Sequence, residues 1–195
     1  REIFSCYSEN IVKKIEYTID YYNIAPLYFN ENFNIEKIVN YKYDKLKFCE
    51  AKFKKEANFN DFIFVKSVDF TNVEFKSSVN FNNCIFLNNC IFNKTIFNEK
   101  YINEKVFEKA NFNGQKLIVE KCAYFPRLDG VVFSPYTKFI LKDINYSKKN
   151  CLCGKNNYKI ARIQAKQTED NENMSYYYYN ERNYTSNFLK SSRYK

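Results

Sequence analysis

Residues 48–97 read FCEAKFKKEANFNDFIFVKSVDFTNVEFKSSVNFNNCIFLNNCIFNKTIF. Large aromatic residues stand at Phe48, Phe53, Phe59, Phe64, Phe70, Phe75, Phe81, Phe86, Phe92 and Phe97, so the steps alternate five, six, five, six. Two residues before most of them sits a smaller side chain: Ala51, Ala57, Val68, Val73, Val79, Cys84, Cys90 and Thr95. Neither the helical period nor a long two-residue alternation yields this cadence. A coil of short extended faces does, because residues two apart on a strand point the same way. Four such faces close a turn of about 22 residues, and successive turns stack at about 4.8 Å. The spacing therefore predicts columns of rings: Phe53 over Phe75 and Phe97, Phe48 over Phe70 and Phe92, Phe59 over Phe81, and Phe64 over Phe86. The small partner is a steric requirement, since a large pair on every face would overfill the axis.

Beyond Phe97 the cadence becomes plain fives through Ile102, Phe107, Phe112 and Leu117. Here Lys100, Lys105 and Gln115 occupy positions where a small inward residue is expected, so a bulge or loop is predicted around Tyr101. Phe62 is a second departure, a large residue where Cys84 stands one coil later.

The unit of a small residue, a polar or β-branched residue and a large one, as in Ala57-Asn58-Phe59, Val79-Asn80-Phe81 and Cys90-Ile91-Phe92, resembles the motif of the pentapeptide-repeat family. What the resemblance implies is a mainly β fold, a right-handed four-sided β-helix. Such a stack needs its ends covered. Ile11, Ile15, Ile19 and Tyr22 fall three to four apart behind Ser8, which predicts an N-terminal capping helix. The expected organisation is a helical cap and lead-in over 1–45, the repeat β-helix over 46–125, an irregular final coil or linker over 126–155, and a C-terminal α-helical pair over 156–195. In the last segment, Tyr158, Ile160, Ile163 and Ala165 suit one helix, and Met174 to Phe188 a second. The stretch from Lys159 through Tyr176-Tyr177-Tyr178-Tyr179-Asn180-Glu181-Arg182 also resembles the helix pair that follows the repeats in bacterial pentapeptide-repeat proteins bearing a membrane ion-channel domain.

Composition removes several chemistries. The 195 residues include no histidine and three glycines, so histidine-based catalysis, histidine-ligated metals and glycine-rich phosphate cradles lack their parts. The formal charge is +9. Basic and acidic residues balance at seven each over 1–47, stand at eleven to nine over 48–125, and at thirteen to six over 126–195, so the excess lies in the last third. A nearly neutral repeat region disfavours the alternative that the cylinder imitates duplex DNA for a gyrase or topoisomerase, which needs a strongly negative surface. The seven cysteines, with no secretory leader, are expected as reduced cytoplasmic thiols.

Cys84 and Cys90 read as compact core residues, and Cys151 and Cys153 as turn residues. The acids Glu99, Glu104 and Glu108 read as solvated corner charges. Of the four consecutive tyrosines at most two can share a helix face, which predicts core packing plus an exposed interaction face among Tyr176, Tyr177, Tyr178, Tyr179 and Arg182. No catalytic residue, cofactor, metal or small-molecule substrate is expected. The expected role is a non-catalytic protein-interaction or regulatory module, cytoplasmic or at the inner face of a membrane as part of a longer protein. Its partner would be a protein or a membrane domain outside this chain. Nucleic acid is disfavoured, and self-association would use the cylinder ends or the C-terminal helices.

Overall fold

The computed structural model describes residues 28–29, 33–34 and 45–192; the capping helix expected over Ser8 to Tyr22 lies outside the described residues. The described chain is a parallel-strand β-solenoid of about four turns followed by two helices. One sheet stacks β1 (Tyr28–Phe29), β4 (Lys52–Phe53), β8 (Glu74–Phe75) and β12 (Ile96–Phe97). A second holds β2 (Phe33–Asn34), β5 (Ala57–Asn58) and β9 (Val79–Asn80). The third is the tallest, with β3 (Lys45–Lys47), β7 (Ser67–Asp69), β11 (Cys90–Asn93), β14 (Lys116–Glu120) and β16 (Lys138–Lys142). The fourth holds β6 (Ile63–Phe64), β10 (Ile85–Phe86), β13 (Asn111–Phe112) and β15 (Val132–Phe133). Every pairing is parallel, and each turn contributes one rung to each sheet it reaches.

The alternating step has a local cause. In the five-residue steps the residue two past the ring takes a left-handed conformation, and these residues recur every eleven positions: Glu50, Asp61, Asn72, Asn83 and Lys94, with φ from 65° down to 53°. The N–H three past the ring donates back to the ring residue's carbonyl, as in Ala51 to Phe48 at 2.9 Å and Val73 to Phe70 at 3.2 Å. That is the arrangement of a type II turn. The polar residue ahead of the ring supports it: Asn58 and Asn80 accept from the N–H groups of Asn60 and Asn82, at 3.0 and 2.9 Å, and Asp69 accepts from Thr71 at 3.0 Å. The six-residue steps carry no such residue and turn more widely.

Inside, the rings stack column upon column. Phe48 lies over Phe70 at 5.1 Å and 4°, Phe70 over Phe92 at 4.9 Å, Phe59 over Phe81 at 4.7 Å, and Phe64 over Phe86 at 4.7 Å. Phe53, Phe75 and Phe97 form the remaining column at 5.0 and 5.3 Å. Phe107 continues the Phe81 column at 5.0 Å and Phe112 the Phe86 column at 4.5 Å. Polar atoms of the small inward residues are bonded: the Cys84 thiol donates to the Phe59 carbonyl at 3.0 Å and the Thr95 hydroxyl to the Phe70 carbonyl at 2.8 Å. Phe62 is buried too, set edge-on to Phe64 at 4.7 Å, so the oversized residue is taken up by a T-shaped contact.

The third turn carries an insertion, visible in the longer spacing from Phe81 to Phe107 and from Cys90 to its register partner Leu117. A 3₁₀ turn at Glu99–Tyr101 absorbs it, capped by the Asn98 side chain, which accepts from the Lys100 N–H at 3.0 Å. Lys100, Lys105 and Gln115 consequently face solvent while Ile102, Phe107, Phe112 and Leu117 remain buried. The solenoid runs on past residue 125 through β15 and β16. Helix α1 (Cys151–Gln167) begins five residues before position 156, and α2 is Asn171–Ser192.

Candidate interaction surface

A parallel rung at the end of a stack leaves unpaired N–H and C=O groups along its edge. Here the two helices satisfy them with side chains. The Leu141 N–H donates to the Tyr177 hydroxyl at 3.2 Å, and that hydroxyl donates to the Phe139 carbonyl at 3.1 Å, bridging the terminal strand β16 as the next rung would. Tyr184 repeats the device, accepting from the Tyr146 N–H at 3.1 Å and donating to the Ile144 carbonyl at 3.3 Å. From α1, the Gln164 amide donates to the carbonyls of Ser134 and Thr137 at 2.9 and 2.7 Å. The Asn157 amide donates to the Pro126 carbonyl at 2.9 Å and the Tyr146 hydroxyl at 2.7 Å, while its oxygen accepts from the Leu128 N–H at 3.1 Å.

The helices are fastened to each other by Arg162 and Glu181 at 2.7 Å and by Tyr158 stacked on Tyr184 at 5.8 Å. Gly154 lets Tyr146 approach, since an added Cβ would lie 2.7 Å from that ring. At the start of α1, the Asn150 amide and the Ser147 hydroxyl both donate to Glu99, at 3.0 and 3.1 Å, which ties the inserted turn to the helix pair. Glu99 therefore has a structural partner beyond a solvated corner, and Glu108 pairs with Lys105 at 2.6 Å.

The four tyrosines separate as a helix requires. Tyr177 is wholly buried against β16; Tyr176 is 37% exposed, and its hydroxyl accepts from the Asp143 N–H at 3.4 Å. Tyr178 and Tyr179 face solvent, Tyr179 at 69%, and the Arg182 guanidinium sits 5.7 Å from the Tyr178 ring. The outer face of α2 thus offers Tyr178, Tyr179 and Arg182 together. The repeat centres Phe48, Phe53, Phe59, Phe64, Phe70, Phe75, Phe81, Phe86, Phe92, Phe97, Phe107 and Phe112 all lie in the core. On α1 the buried face is Asn157, Tyr158, Ala161, Gln164 and Ala165, whereas Ile163, which the apolar pattern placed inward, is exposed. A face that must bond backbone groups recruits amides, so an apolar pattern alone misses it; two side-chain amides seven apart, Asn157 and Gln164, were the available signal.

Cys151 and Cys153 lie in the first turn of α1 rather than in a turn between elements, and both are buried. The Cys153 thiol donates to the Phe125 carbonyl at 3.3 Å. Burial pushes Cys84, Cys122 and Cys153 up to about 12 and holds Cys90 well above the usual thiol range, so none carries a ready thiolate near neutrality. Among the described residues, no group of three or more His, Cys, Asp or Glu side chains could hold a metal ion, and no helix is long and apolar enough to cross a membrane. Compared with known proteins, the chain matches no family model, no curated protein and no solved structure.

Proposed function

We propose that the solenoid is a right-handed, four-sided β-helix of the pentapeptide-repeat kind and that the protein works as a non-catalytic interaction or regulatory module. One observation carries the reading: the described interior is occupied by ring stacked on ring, so recognition falls to the outer surface and to the helix pair. Four parallel sheets served in rotation by one chain support the four-sided shape. The helix pair is the preferred contact, because its inner face is spent on the terminal rung while Tyr178, Tyr179 and Arg182 stay outward, residue types enriched at protein interfaces. On this reading the module acts in the cytoplasm, as a scaffold that presents the helix pair to a protein or to a membrane channel domain outside this chain.

The test is site-specific photo-crosslinking in the cells that make the protein. A photoreactive residue in place of Tyr179 is expected to give one discrete protein adduct, lost with Arg182→Glu, while the same residue at the exposed Lys76 gives none. No adduct at position 179, or an equal one at position 76, would overturn the proposal.

A further inference from the structure

The outer face of α1 carries a charge pattern that its own stability does not require. The helix holds four basic residues, Lys155, Lys159, Arg162 and Lys166, and no carboxylate, not even in the first turn, where the helix dipole favours one. Lys155 and Lys159 stand four apart, a like-charge spacing that destabilises a helix. At 3.6 residues per turn, Lys155, Lys159 and Lys166 fall within about 40° of one another around the helix, and Leu152 and Ile163 occupy about the next 40°. Lys159 and Lys166 are exposed and Lys155 is half-buried. Leu152 and Ile163 are 41% and 45% exposed. Asn157 and Gln164, which bond the solenoid, lie about half a turn away from the lysines. The stripe therefore faces away from the β body, which leaves a broad partner free to approach it.

The acids nearest the stripe have other partners. Glu181 holds Arg162 at 2.7 Å, Asp129 holds Arg127 at 2.7 Å and accepts from the Asn156 amide at 3.3 Å, and Asp170 holds Lys138 at 3.0 Å. Glu169 and Glu172 are exposed where the two helices join, past the end of the stripe. Among the described residues, none of the three lysine side chains has an ion-pair partner. The stripe thus calls for anions and hydrocarbon side by side. A nucleic-acid backbone supplies the anions but leaves Leu152 and Ile163 against water. An acidic partner helix needs an apolar contact on each turn, whereas Leu152 and Ile163 stand about 16 Å apart along the axis, with Asn156 and Lys159 between them. Self-pairing of this face sets one cationic stripe on another, with no carboxylate in either. A bilayer surface rich in anionic lipid needs no register. Its headgroup phosphates take the ammonium groups, the lysine stems lie along the surface, and the two aliphatic side chains enter the edge of the acyl region.

We propose that α1 rests this stripe on an anionic bilayer surface, with Lys155, Lys159 and Lys166 on headgroup phosphates and Leu152 and Ile163 inserted between lipids. The proposal goes beyond the partner contact assigned to Tyr179 and does not rest on it. Its test is flotation of the full chain with vesicles of phosphatidylcholine containing about one-third phosphatidylglycerol, beside vesicles of phosphatidylcholine alone. The anionic vesicles are expected to bind at least about tenfold more tightly, and Lys155→Gln, Lys159→Gln and Lys166→Gln are each expected to weaken that binding about fivefold. Ile163→Ser should weaken it about threefold, while Lys94→Gln, which removes an exposed charge from a solenoid corner, should leave it within about twofold. None of the substituted side chains is buried, and circular dichroism checks that each variant folds. No preference for the anionic vesicles, or an equal loss from Lys94→Gln, would overturn the proposal. Equally tight binding of duplex DNA or of polyglutamate would overturn it too, as would a dimer in sedimentation that the lysine variants separate.

Discussion

At the scale of single residues, the solenoid works against the backbone preferences of its own corner residues. Glu50, Asp61, Asn72, Asn83 and Lys94 are held in the left-handed region without being glycine, and for a side chain such as lysine this costs about 1 kcal/mol or somewhat more. Lys94→Gly is therefore expected to stabilise the protein by about 1 kcal/mol, less the added freedom of the unfolded chain, read as a higher urea midpoint; a lower midpoint would contradict the turn assignment. The converse holds at Gly114, where an added Cβ would stand 2.1 Å from the Asn88 carbonyl oxygen. The buried thiols set a pH dependence. Their folded pKa values lie above the unfolded value of about 8.5, so above that pH the unfolded chain loses protons that the folded one keeps. Stability is full below about pH 8.5 and falls as pH rises toward about 12. The urea midpoint should drop between about pH 8 and pH 10.5, and an unchanged midpoint would show that these thiols are not buried as described.

At the scale of elements, the telling piece is the helix pair, which ends the stack by imitating a strand with hydroxyl and amide groups. Tyr177→Phe keeps the ring and removes the oxygen that joins Leu141 to Phe139. The expected cost is about 1–3 kcal/mol, since two buried backbone groups lose their partner, with faster amide exchange along β16. Exchange that rises equally along β7 would mean the rung is not held in this way. The ring columns and the presence of two C-terminal helices were legible in the sequence because both depend on spacing, and spacing survives without knowledge of neighbours. The inserted turn at Glu99–Tyr101 was foreshadowed by Lys100 and Lys105 in positions that call for small residues. The inward amides Asn157 and Gln164 were not legible, because their burial is decided by the edge of a rung built from residues some thirty positions away. Nor was the solenoid's course to Lys142, since the two-residue strand β15 gives too short a pattern to read alone.

At the scale of the whole molecule, one set of residues makes the body and another makes its surface. Each buried ring contributes about 1.5–3 kcal/mol of transfer free energy before ordering costs, and the small residues beside them set the width of the tube. The outward positions are released from that duty, which allows one wall to be asparagine, another an ion-paired strip with Lys52 and Glu74, and a third apolar. The central claim is this inward and outward register, and thermal unfolding of two adjacent variants tests it most directly. Phe75, 1% exposed, stacks on Phe53 and Phe97, whereas Lys76 is exposed with only an outward pairing to Glu74 at 3.5 Å. Phe75→Asp buries an unpaired charge and is predicted to abolish the folded state, while Lys76→Asp is predicted to melt within a few degrees of the parent. Equal melting of the two variants would contradict the account.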